Sequence, residues 1–294
     1  MRRGNIPVSQ KIFNFFNMVF LSILAIITIY PMWHVIMASV SLPMNLVRHV
    51  GILYRPLGGI SFESYKAVIA NKMITNGYKN TLIIVFAGVA VNILMTSLAA
   101  YYVTRKDQFL SKYVMRFILF TMFFSGGMIP AYLNIRDLGL YNSLLALIIP
   151  VSINTFNFVI LRTSFYAIPD SLEESALIDG ANHMVILFLI YMPLSKAVLA
   201  VLVLYYGVGH WNSWFNAMLY IQDRNLYPLQ LALREILISQ DISQMASGGS
   251  QDLTSISISI KYTVIVVSTL PILCLYPTVQ KYFAGGVMIG AVKG

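Results

Sequence analysis

Four of the chain's eleven acidic residues, Asp170, Glu173, Glu174 and Asp179, fall in one run, Ile168-Pro-Asp-Ser-Leu-Glu-Glu-Ser-Ala-Leu-Ile-Asp-Gly-Ala-Asn. Catalysis by a membrane enzyme would need clustered carboxylates for a metal, a His-x-x-x-His pair, or a nucleophile beside a base. His34, His49, His183 and His210 are distant from one another in sequence, and the acidic run is the only such cluster. The run reads better as a short helix. Ser171 with Glu174 three positions on has capping-box spacing, and Asp170 and Glu173 suit the positive end of a helix dipole. Gly180 stands where a left-handed C-cap would end that helix. Ala176 and Ala181 leave little bulk, so a second surface could come close. The segment is therefore either an ordinary capped loop or a docking element. A single cysteine, Cys274, excludes an internal disulfide and a cysteine-based metal cage. No Gly-x-x-x-x-Gly-Lys-Ser/Thr occurs, so the chain has no phosphate cradle of that kind.

The elements that position this run are set by charge. Charged residues are 11% of the 294, against about 25% in soluble domains. Apolar residues are 58% and the mean hydropathy is +0.74. Charge is absent from Ile12 to Val47, Asn80 to Thr104, Phe117 to Ile135, Leu138 to Leu161, Ala197 to Gln222 and Tyr262 to Gln280. Each run is near or above the roughly 20 residues that cross a bilayer as a helix. The expected fold is all-α, with six spans near 14–40, 80–104, 114–134, 142–166, 186–209 and 259–280. The first is too long for a signal-peptide core and lacks a clear cleavage site, so it is kept as a span.

An even span count puts residues 1–13 and 281–294 on one side. Arg2, Arg3, Lys11, Arg105, Lys106, Lys112, Lys281 and Lys293 mark that side as cytoplasmic by the positive-inside tendency. Arg48, Arg55, Lys66, Lys72 and Lys79 fall opposite, in a long loop that weighs less. The net charge of +9 is scattered over span ends, which argues against a nucleic-acid partner and for the lipid bilayer. Two loops are long, 42–78 and 211–257. The second holds Trp211, Trp214, Phe215 and Tyr220, a helix-like stretch from Pro228, and a Ser247-Gly-Gly-Ser connector. Asn92, Ser125, Asn154 and Asn157 could line a hydrophilic substrate path or hydrogen-bond between helices. A secondary transporter would carry ionisable groups in mid-membrane; here the spans hold almost none, with His34 and His210 near span ends and Lys196 early in the fifth span.

Read onward from Glu174, the chain runs Glu-Ser-Ala-Leu-Ile-Asp-Gly-Ala and reaches Pro193-Leu194-Ser195 twelve residues later. This resembles the EAA loop of permeases of ABC type I importers, with Ser175, Leu187 and Ala197 as departures. The flank Ile168-Pro-Asp-Ser-Leu-Glu173 and the ending Gly290-Ala-Val-Lys-Gly294 resemble the second permease of maltose-type carbohydrate importers. The fuller tail from Tyr282 is similar to the polysaccharide and lipoprotein-associated branch, which includes an alginate importer.

The resemblance implies a multi-pass inner-membrane permease for an oligo- or polysaccharide, with peptide or amino-acid import as the alternative within the class. It implies a coupling helix near 170–184, with Glu173, Glu174, Ala176, Asp179, Gly180 and Ala181 meeting the ATPase. It also implies a tail, Gly290, Val292, Lys293 and Gly294, that reaches the ATPase dimer. The implied partners are a homologous permease, two ATP-binding subunits and an extracytoplasmic solute-binding protein. ATP and Mg then belong to the ATPase, with no cofactor on this chain. In maltose-type systems the partner permease mainly holds the sugar.

Overall fold

The computed structural model of the chain describes residues 7–105, 108–246 and 258–274. The expected tail, with Gly290, Val292, Lys293 and Gly294, and the Ser247-Gly-Gly-Ser connector lie outside these residues. The described residues form helices and turns, with one isolated antiparallel bridge from Ser41 to Ile60. In chain order the helices begin α1 (Val8–Ser39), α2 (Pro43–Val47), α3 (Glu63–Ala70), α4 (Lys72–Thr104), α5 (Ser111–Phe123) and α6 (Met128–Asp137). They continue with α7 (Thr155–Tyr166), α8 (Asp170–Ile178), α9 (His183–Ile186), α10 (Met192–Leu194), α11 (Lys196–Trp211), α12 (Phe215–Tyr220) and α13 (Leu229–Ala246). The last described helix is α14 (Ile258–Cys274).

Two of the expected spans are single helices, α1 and α4. Three others are broken where the sequence reading had them continuous. The span expected at 114–134 divides into α5 and α6 around Phe124 to Gly127, where Gly127 has φ +87°. The 142–166 span is a short 3₁₀ segment, Leu144–Val151, followed by α7 at a 47° bend, with Pro150 and the Asn154 cap at the break. The 186–209 span bends by 87° at Ser195, after a π-helical turn at Leu187–Tyr191 and Pro193. Hydropathy is blind to these breaks because the residues making them are few and mostly apolar. Span six is represented by α14 as far as Cys274, and positions 275–280 of the expected span lie outside the described residues. The start of α4 lies eight residues before the expected position because the Asn71 side chain accepts from Met73 N (2.9 Å) and caps it there.

Contacts divide the chain into two units, residues 1–70 with 236–269, and 71–235 with 270–294. In the first, α1 is exposed along most of its length, and a small core of Ala38, Leu46 and Leu53 gathers Met37, Leu57, Ile258 and Tyr262. Hydroxyls join its helices: Ser39 Oγ with Tyr65 OH (2.8 Å) and Ser64 Oγ with Ser259 Oγ (2.6 Å). Small polar residues let apolar helices approach and hydrogen-bond without water.

In the second unit α4 is the central rod, packed against α7 and α11. One core cluster surrounds its Arg105 end, built from Tyr101, Phe158, Leu161, Phe165, Leu187, Tyr191 and Leu202. Another cluster, with Ile84, Ile135, Leu147, Tyr220 and Leu231, lies toward the Lys72 end.

Candidate functional site: the Asp170–Ile178 helix

The acidic run is a nine-residue helix, α8. Its end is as the sequence implies. Ala181 N donates to Ala176 O (2.9 Å) and Gly180 N to Leu177 O (3.1 Å), with Gly180 at φ +81°. These are the two bonds of a Schellman C-cap, and glycine adopts that φ without the penalty a Cβ brings. Its beginning differs. Pro169 is the N-cap, without a side-chain cap bond, so Ser171 lies inside the first turn and the expected Ser171–Glu174 capping box is not formed. The N-cap lies two residues before the expected Ser171, leaving Asp170 and Glu173 in the first turn near the helix dipole.

Helical periodicity then sorts the residues by direction. Glu173 and Ala176, three apart, are half-buried, and Ala176 and Ala181 pack on the chain's own core. The close approach that their small size allows is thus intramolecular. Ser171, Glu174, Leu177, Ile178, Asp179 and Gly180 are exposed, and Ile178 is 86% accessible. The free face pairs the apolar Leu177 and Ile178 with the exposed carboxylates of Glu174 and Asp179.

Glu173 does not belong to that face. Its Oε1 accepts from Tyr101 OH (3.0 Å) and its Oε2 from Tyr191 OH (2.7 Å). Arg105 Nε lies 3.3 Å from Oε1, with both side chains largely buried at 11% and 14% accessibility. Arg105 Nη1 also stands 2.7 Å from His183 Nδ1 and 2.8 Å from Nε2, while Tyr101 OH lies 3.3 Å from His183 Nδ1. Tyr101 and Tyr191 pack edge to face at 5.0 Å, and Phe165 meets Tyr191 at 5.3 Å. Tyr101 and Arg105 are one helical turn apart at the end of α4, so the cluster clamps α8 to that rod. Both carboxylate oxygens are engaged, which makes Glu173 a positioning residue.

The four polar residues expected along a substrate path differ in their surroundings. Asn92 is fully buried: its Nδ2 donates to Val151 O (2.6 Å) and its Oδ1 pairs with His210 Nε2 (2.7 Å). Asn154 caps α7 by accepting from Asn157 N (3.1 Å), and its own N donates to Tyr206 OH (3.1 Å), which also meets Thr96 Oγ1 (2.7 Å). Asn157 is buried, and Ser125 is exposed, its Oγ accepting from Gly127 N (3.2 Å). Backbone that leaves helical geometry at membrane depth must find partners inside the protein. Asn92 and Tyr206 supply them at the break before α7. Of the two sequence readings, helix-to-helix bonding is the one the structure bears out for Asn92.

No protein-family model matches the sequence. A permease protein of the polygalacturonan/rhamnogalacturonan transport system of Bacillus subtilis, YtcP, is 40% identical over 98% of this chain and 100% of its own length. LplC of the same organism is 36% identical over 97% of this chain and 96% of its own. Among solved structures, one chain of a bacterial ABC transporter that imports the acidic polysaccharide alginate superposes with a TM-score of 0.87. It is 31% identical and covers 95% of this chain and 99% of that one. The chain belongs to the carbohydrate-importing ABC permease family. In this permease the EAA-type segment is α8 with its C-cap, and the fold is that of the alginate importer's permease. Sequence reading missed the clamp on α8. Arg105 was legible as a basic residue at a span end, but nothing in the sequence pairs it with an acid 68 positions away. Ile178 was also missed, because one apolar residue at a helix end does not reveal in the sequence whether it is buried or exposed.

Proposed function

We propose that this permease docks through the free face of α8 on a separate ATP-hydrolysing subunit and moves an acidic oligosaccharide inward across the cell membrane. The observation that carries the docking is the pairing of an 86% exposed Ile178 with an unclamped Glu174 on a helix otherwise fixed to its own core. Docking would take the Ile178 side chain out of water, a favourable burial for an apolar group of that size. The acidic cargo rests on two relatives, one named for polygalacturonan and rhamnogalacturonan and one for alginate. A homologous second permease, a pair of ATP-binding subunits and an extracytoplasmic solute-binding protein complete the assembly in this reading. ATP and Mg are held by the ATPase, and the C-terminal tail with Gly290 to Gly294 reaches it.

Mechanically, the α8 clamp makes the coupling helix and the α4 rod one body at the Arg105 end. Closure of the ATPase would move α8, and α4 would carry that displacement along its 33 residues to the Lys72 end. The Arg105 end is then cytoplasmic. The test is to purify the complex with Ile178→Asp or Glu174→Ala and measure ATPase co-purification and uptake. Loss of co-purification with Ile178→Asp supports the docking face; parent-like assembly and uptake would refute it. For orientation, after Cys274→Ser, cysteines at Asn182 and Gln222 should label from opposite sides, Asn182 from the cytoplasm.

A further inference from the structure

We propose that residues 42–57 are a membrane-interface anchor, a closed loop folded back along α1 whose tip sits among phospholipid headgroups. α1 has 32 residues, about 48 Å at 1.5 Å each, against roughly 30 Å of hydrocarbon. It therefore extends beyond the hydrocarbon core. Lys11 stands near one end, and Tyr30, Trp33 and His34 gather toward the other, the residue types that settle at an interface. The turns from His34 to Ser39 then lie in or above the headgroup layer.

After Ser39 the chain turns back. A neck closes the loop: Leu42 N donates to Leu57 O (3.0 Å), Ser61 N to Val40 O (2.8 Å), and Leu57 N to Ser41 Oγ (3.0 Å). The far side of the loop returns down α1, where Leu53 N donates to Tyr30 OH (3.1 Å) and Trp33 Nε1 donates to Tyr54 O (3.1 Å). Tyr30 is nine residues before Ser39, about 13 Å along the helix. The loop thus reaches the depth of the aromatic belt.

What it presents there is apolar and basic. Val50 is 96% exposed, and Ile52, Tyr54, Arg48 and Arg55 are exposed beside it. Gly51, at φ +122°, makes the turn at the tip, and no acidic residue occurs before Glu63. Leu53 faces inward to the small core of this unit, so Val50 and Ile52 are left without intramolecular use. Aliphatic side chains flanked by two arginines match an acyl boundary topped by phosphates. The lipid-facing length of α1, with Ile26, Ile27 and Ile29 exposed, is continuous with that surface.

The test uses the full-length chain in phosphatidylcholine–phosphatidylglycerol nanodiscs, with Cys274→Ser and a nitroxide on Val50→Cys. Val50 is almost wholly exposed, so the label leaves the fold intact. Collision with oxygen relative to a water-soluble nickel chelate reads depth. The ratio should be several-fold above that of a label on Gln222→Cys, and Arg48→Glu with Arg55→Glu should lower it. A ratio equal to the Gln222 reference overturns the proposal. So does a nickel-accessible label that becomes protected only when a solute-binding protein is added, which would assign the tip to protein docking.

Discussion

The two ends of α4 are fastened by different chemistry. At the Lys72 end the bonds run from side chain to backbone. Asn80 Nδ2 donates to Asn225 O (2.7 Å) and Tyr227 O (3.1 Å), and Thr81 Oγ1 accepts from Leu229 N (2.8 Å). Gly77 lets Leu229 close in, since a Cβ there would stand 3.0 Å from Leu229 Cα. At the Arg105 end the bonds run between side chains, with an ion pair at the centre. Backbone-directed bonds fix the path of a loop whatever its sequence. A charged side-chain cluster instead ties two particular helices together, and Glu173 lies one residue from the exposed Glu174. The first arrangement suits a static support, the second a joint that must carry force without slipping.

The largest effect is expected where the ion pair is broken. Glu173→Ala strands Arg105 in a largely dry site and should destabilise the permease by about 3 kcal/mol, the low end for an orphaned buried charge. Thermal unfolding of the purified chain measures it. Glu173→Gln keeps an acceptor for the tyrosines and should recover part of the loss; equal losses would mean the charge, not the tyrosine bonds, carries the clamp.

Asn80→Ala tests the other end. It removes the donor to two carbonyls in a half-dry setting and should cost about 2 kcal/mol, while ATPase co-purification stays at the parent level. If assembly falls as it does for Glu173→Ala, the two ends are not separable in function.

Gly180→Val should cost about 1–2 kcal/mol from forcing an L-residue into left-handed φ, since among the described residues nothing beyond its own chain neighbours lies within 4 Å of the added Cβ. Its effect on uptake should exceed its effect on unfolding, because in the proposed docking the added bulk would face the ATPase. Smallest in stability is Glu174→Ala, within about 0.5 kcal/mol as an exposed substitution, yet it should reduce transport measurably. Unchanged uptake would remove Glu174 from the docking face.

Local composition and spacing set the solvent and the punctuation of the chain. Six long charge-free runs required lipid, and Gly180 behind an acidic, alanine-bearing run required a helix that stops there. Both are local consequences of transfer free energy and backbone sterics, which act on neighbours in the chain. The sequence also carried the family, through the register of Glu174, Asp179, Gly180 and Pro193. Tertiary structure decided the rest. Which of Glu173 and Glu174 is held inward depends on the angle at which α8 meets α4, and two adjacent carboxylates look alike until that angle is set. The break near Asn154 is tolerated because Asn92 and Tyr206 supply partners for freed backbone, as in the 2.6 Å bond from Asn92 to Val151. Such partners lie tens of residues away along the chain. Periodicity cannot register them, because a hydrogen bond across a fold leaves no pattern in the local sequence.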